Sequence, residues 1–125
     1  MLFAVNGTLM RGLALNANMI EAGASFVREA TTAPVYQLFS IDDNYPGMIR
    51  STSAGGPVRL ELWELDETGL VRILLQEPPG LTVGRILLED GSQPLGVLAE
   101  PWIVSGRKEI TVFGGWRRYA AQRQE

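Results

Sequence analysis

The sequence predicts an α+β fold: a small mixed or antiparallel β-barrel carrying two or three short helices. Three observations lead there. Short runs rich in strand formers recur from Leu2 to Ala99, separated by turn signals such as Asn6-Gly7, Pro46-Gly47 and Asp90-Gly91. Helical spacing is confined to a few short stretches. Several strand-like runs are apolar on both faces, which a sheet closed on itself would bury. The 125 residues fit one domain, 1–125, large enough to bury a core without staples.

Leu2 to Val5 is apolar throughout and reads as a short central strand. Asn6-Gly7 breaks it, because glycine takes positive φ readily and asparagine tolerates it. Leu15 to Ala22 has apolar residues at helical spacing, with Asn16 or Leu15 at its start and Gly23 as the stop. Ala24 to Thr32 reads as strand or irregular chain. Pro34 to Ile41 is a strand, 42 to 47 a turn, and Met48 to Arg50 a short strand. Ser51 to Pro57 is a hairpin loop. Val58 to Leu65 alternates in polarity and predicts a half-buried antiparallel strand. Asp66 is a good N-cap for a helix that must end by Pro78-Pro79. Gly84 to Glu89 and Leu95 to Ala99 read as strands around the Asp90-Gly91 turn. Residues 101 to 106 carry no clear signal. Ile110 to Phe113 reads as strand or helix entry, and Trp116 to Gln122 as a last helix.

Composition excludes several kinds of chemistry. There is no cysteine, hence no disulfide framework and no thiolate nucleophile. There is no histidine, which removes Ser-His-Asp triads, His-ligated metals and the commonest general base. No carboxylates cluster with the spacing of an oxygen-only metal site, so no metal and no cofactor are expected. The serines lack a Gly-x-Ser-x-Gly setting. A net charge of −3 argues against a nucleic-acid partner. No apolar run is long enough to span a membrane, and no signal peptide is evident, so a cytoplasmic setting is expected. Trp102, Phe113, Trp116 and Tyr119 read as core.

Two stretches remain as candidates for chemistry. The loop Asn6-Gly7-Thr8-Leu9-Met10 follows a strand, and such a turn exposes successive N–H groups that can hold a carboxylate or an oxyanion. The plain alternative is a tight turn and nothing more. Glu77 ends the second helix, where the negative pole of the helix dipole and partial burial both disfavour its charged form. A carboxyl tuned upward suits acid–base work in a chain without histidine. The plain alternative is a solvated glutamate on a fraying helix end. Asp42-Asp43 is explained by turn chemistry. Glu61 shares a strand face with Arg59, and an ion pair with a neighbouring strand would account for it.

A resemblance extends this reading. Asn6-Gly7-Thr8-Leu9 resembles the strand-plus-Tyr-Gly-Thr-Leu motif of the γ-glutamylcyclotransferase-like family, with Asn6 in the tyrosine position. Met10–Asn16, Thr32–Leu38, Pro46–Arg50, Leu62–Leu65, Gly84–Gly91, Glu109–Thr111 and Phe113–Arg117 are similar, in order, to the allophanate hydrolase C-terminal domain within that group. The resemblance implies the small barrel and a small carboxylate or amide as ligand. Asn6, Gly7, Thr8, Leu9, Met10, Tyr45, Pro46 and Gly47 form the implied substrate-binding set, with Glu77 in the position of the cyclotransferases' catalytic glutamate. Those enzymes release 5-oxoproline from γ-glutamyl compounds. The allophanate hydrolase domain is thought instead to help decarboxylate the product of its amidase partner, through a histidine aligned with Leu9; that role does not carry over by residue to a chain without histidine.

Two functions are therefore carried forward. One is a free-standing enzyme or binding protein of cyclotransferase type. The other is a non-catalytic accessory or oligomerisation domain of amidase and urea-nitrogen metabolism, with an amidase or a second copy of the chain as partner. An open pocket facing Glu77 favours the first; a filled pocket favours the second.

Overall fold

The computed structural model describes residues 1–123; positions 124 and 125, the end of the expected domain, lie outside them. Its centre is β1 (Leu2–Val5), whose Phe3, Ala4 and Val5 are wholly buried. β1 runs antiparallel to β5 (Arg59–Glu64), with Phe3 opposite Trp63, and parallel to β7 (Leu95–Ala99), with Phe3 opposite Leu95. β2 (Ser25–Thr31) and β6 (Leu81–Arg85) complete a five-stranded sheet in the order β2-β5-β1-β7-β6. A second sheet has three strands, ordered β4-β3-β8: β3 (Tyr36–Ile41), β4 (Tyr45–Arg50) and β8 (Lys108–Glu109).

The α+β class stands, but the barrel does not close. The edges of the larger sheet meet at one corner only, where Thr32 bridges Leu88 and the N–H of Glu89 donates to the carbonyl of Thr31. A strand buried on both faces can come from closure or from a covering layer, and the apolar pattern is the same in either case. Here the three-stranded sheet and the helices supply the cover.

The helices number four among the described residues, one more than expected. α1 (Asn16–Glu21) ends before Gly23, whose φ is 80°. α2 (Glu67–Gln76) is capped by Asp66, whose Oδ1 accepts the N–H of Gly69 at 2.8 Å. α3 (Pro101–Val104) is a single turn, too short to leave a periodic trace. α4 (Trp116–Arg123) buries Trp116 and Tyr119. A 3₁₀ turn at Thr111–Phe113 precedes it, replacing the strand or helix entry read there. Trp102 corrects its core reading: it is 59% exposed on α3. No described helix is long and apolar enough to cross a membrane.

Several strand limits also shift. The turn expected over 42–47 is confined to Asp42, Asp43 and Asn44; both aspartates take positive φ, 53° and 58°. Tyr45, Pro46 and Gly47 already belong to β4, an edge strand where proline's missing N–H is tolerated. β2 is a strand with a bulge between Phe26 and Arg28. β6 begins at Leu81, directly after Pro78-Pro79-Gly80, and ends at Arg85 rather than Glu89. β5 is not half-buried. It lies between β2 and β1, and Leu60, Glu61, Leu62 and Trp63 are all buried.

Candidate functional site

The C-terminal end of β1 opens into a cavity of about 330 Å³ between the two sheets. Val5 to Leu9 form one wall. Tyr45 and Pro46 enter from β4, Val97 from β7, Leu81 from β6, and Leu15 from the start of α1. Glu77 and Pro78, where α2 ends, close another side. Of the nine predicted site residues, Asn6, Gly7, Thr8, Leu9, Tyr45, Pro46 and Glu77 line this one space. Met10 and Gly47 do not. Met10 is buried and lines a different cavity, on the far side of the loop. Gly47 packs under α3, where a Cβ would lie 2.9 Å from Val104 Cγ1.

Asn6-Gly7 does not work as the turn chemistry suggests, since neither residue has positive φ. Gly7 is needed for a close approach: a Cβ there would lie 2.6 Å from Pro46 Cδ. Asn6 is 3% exposed and uses its Nδ2 to donate to the carbonyl of Val97 at 2.9 Å. It ties β1 to β7 and sets the angle at which the chain leaves the sheet.

Beyond Asn6 the backbone groups separate by kind. The carbonyl of Gly7 accepts from the N–H of Met10 at 3.0 Å, and that of Thr8 from the N–H of Leu15 at 3.0 Å. The carbonyl of Leu9 accepts from Asn16 Nδ2 at 2.8 Å. The N–H groups of Gly7, Thr8 and Leu9 have no acceptor among the described residues, and all three residues line the cavity. Gly7 and Leu9 are buried and Thr8 is partly so; any of these N–H groups that opens to the cavity is met by water or by an external acceptor.

Glu77 is half-buried, with an extended backbone, and no described donor reaches its carboxylate. Burial alone pushes its pKa from 4.5 up to about 7. Among the described residues, no three acidic side chains gather as a metal ion would need.

Among the lining residues that sequence reasoning missed are Asn44, Pro78, Leu81 and Val97. Asn44 and Pro78 adjoin predicted site residues; Leu81 and Val97 reach the cavity only through strand pairing. It also misplaced Glu61. Glu61 is 1% exposed, and its partners are Arg11 and Arg117 rather than a neighbouring strand. Its oxygens accept from the N–H of Arg11 at 2.9 Å, and from Arg11 Nε, Arg117 Nη2 and Trp63 Nε1 at 3.1 Å each. Arg59 pairs instead with Glu29 at 2.9 Å. The far end of the cavity loop is thus pinned to the core through Arg11.

Residues 1–121 match the family model of the allophanate hydrolase C-terminal domain. This chain belongs to that family. Its structure is similar to the crystal structure of c4763, a uropathogenic E. coli-specific protein: 52% identity, a TM-score of 0.94, and coverage of 96% of this chain and 94% of that one. An allophanate hydrolase of Kluyveromyces lactis shares the fold, with a TM-score of 0.93 at 24% identity, over 98% of this chain and 21% of that one. A urea amidolyase of Saccharomyces cerevisiae is 28% identical over 123 residues, 93% of this chain. The chain spans only 7% of that protein's length. The relation to the allophanate hydrolase C-terminal domain, read from the matching segments, is borne out; the wider γ-glutamylcyclotransferase-like grouping rests on the resemblance alone.

Proposed function

We propose that this member of the family is a ligand-holding accessory domain of amidase chemistry in urea-nitrogen metabolism, with a small carboxylate or amide as its ligand. The family match supports the setting. One observation supports the binding: three consecutive residues whose N–H groups have no described acceptor, Gly7, Thr8 and Leu9, share a cavity with Glu77. Donors held in place by a closed loop bind a carboxylate or amide oxygen with little reorganisation. The partner in this reading is an amidase, joined to the domain or separate, or a second copy of the chain, in the cytoplasm.

The experiment is a titration of ¹⁵N-labelled protein with propionate and propionamide. Amide shifts confined to residues 6–9, 44, 45 and 77 are expected. Shifts scattered over the surface, or none, would remove the reading.

A second reading has its own support in Glu77. A carboxyl raised to about 7 that shares a cavity with the loop suits acid–base turnover of the γ-glutamylcyclotransferase type. An open cavity favours it over a relic pocket. In this reading the loop N–H groups hold the substrate carboxylate and Glu77 moves a proton at the attacking amine. Incubation with a γ-glutamyl amide should then yield 5-oxoproline, and Glu77→Gln should abolish the yield while the protein stays folded.

A further inference from the structure

We infer that the cavity takes up a carboxylate ligand only together with one proton, held between the ligand and Glu77. The inference rests on the reading that this cavity binds a small carboxylate, and it adds the terms on which binding occurs.

The loop side offers backbone donors, beside the hydroxyl of Thr8. The carbonyls of Gly7, Thr8 and Leu9 accept from Met10, Leu15 and Asn16, while the N–H groups of the same three residues have no described acceptor. Such a surface selects a ligand atom with lone pairs. No lysine or arginine lines the cavity. The guanidinium groups near the end of the loop, those of Arg11 and Arg117, are engaged by Glu61 on its far side. A negative ligand would therefore be met by dipoles and by no opposite charge.

The same space of about 330 Å³ already holds a carboxyl group. The elements packed around Glu77 contribute one other titratable group, the phenol of Tyr45 from β4. The loop, α1, β6 and β7 present only neutral side chains to the cavity. Two carboxylates in so small a space, with no cation between them, cannot both stay ionised; one proton is retained and shared. Glu77 is already raised to about 7 by burial, so it is the group that supplies the proton, and a bound anion raises it further. The proton comes from solvent whenever the free protein has lost it, so binding above about pH 7 consumes one proton per ligand. No bond is made or broken in the ligand.

The test is the Kd of propionate, measured by ¹⁵N shift titration from about pH 6 to 9, where propionate itself does not change charge. Affinity should fall tenfold per pH unit at the alkaline end, about 50-fold in all between pH 7 and 9. Propionamide, neutral and nearly isosteric, should show no such slope. Glu77→Gln should bind propionate with a flat pH profile. A flat profile for wild-type protein would overturn the inference and leave the binding reading intact, as would a site that takes propionamide but refuses propionate at pH 6. Failure of both compounds to bind at any pH would remove the binding reading and the inference together.

Discussion

Glu61 and Glu77 are both withdrawn from water, and the fold treats them in opposite ways. Glu61, in the middle of β5, is 1% exposed and accepts from two guanidinium groups, an indole and a backbone N–H. Glu77, at the end of α2, lines a mainly apolar cavity, and no described donor bonds its carboxylate. A buried carboxylate with a full set of donors is a structural joint. A half-buried one without them is unsettled in its charged form, and a ligand that donates a hydrogen bond or carries positive charge relieves it. Depth alone does not separate the two; pairing does.

The largest expected effect breaks the joint. Glu61→Leu leaves Trp63 Nε1 and the N–H of Arg11 without an acceptor and frees two arginines. It should cost about 3 kcal/mol or more in urea unfolding. A loss below about 1 kcal/mol would show that the network holds nothing together.

Glu77→Gln should act with the opposite sign. In the unfolded chain the glutamate releases its proton near 4.5, and in the folded chain at about 7. Between these values the folded state binds the extra proton, so wild-type stability is full below 4.5 and declines as pH rises through 7. At about pH 8 the Gln variant should be more stable than wild type by about 2 kcal/mol, discounted for the solvent that still reaches the group. Equal stability differences at about pH 5 and pH 8 would contradict this.

Smaller effects sharpen the contrast. Gly7→Ala places a Cβ against the ring of Pro46 and should cost about 1 to 2 kcal/mol, with weaker propionate binding in the same titration. Arg117→Ala removes one of the two guanidinium groups on Glu61. Because that side chain is about half exposed and Arg11 remains, thermal unfolding should report about 0.5 kcal/mol. A loss as large as that of Glu61→Leu would mean that Arg117 alone carries the joint.

How far these features were readable differs for physical reasons. The β1 strand, the loop after it, the Asp66 cap and the helix end at Glu77 depend on neighbours within a few residues, and local chemistry foretells them. Whether β1 faced a closed barrel or a second sheet depends on pairings made across the chain. The burial of Glu61 was hidden for the same reason: its partners lie 50 and 56 positions away. The alternation of β5 therefore looked half-exposed while both its faces were covered. On the site itself, residue types pointed to the loop and to Glu77, and the resemblance added Tyr45 and Pro46. Leu81 and Val97 arrive only through strand pairing. Gly7 serves clearance for Pro46 and not conformational freedom, a need that depends on a strand distant in sequence.

The central position of β1 has a consequence in time. The strand is synthesised ahead of the rest of its sheet, yet Phe3 has no sheet partner until Trp63 and Leu95 have been made. The β3–β4 hairpin closes locally through Ile41 and Tyr45 and can form long before. The larger sheet is therefore assembled around its oldest strand near the end of folding. The loop beyond Val5 acquires its shape only then, because Asn6 waits for Val97. A compound bound in the cavity would be recognising a chain that has finished folding, and by mass action it would draw unfinished chains toward completion.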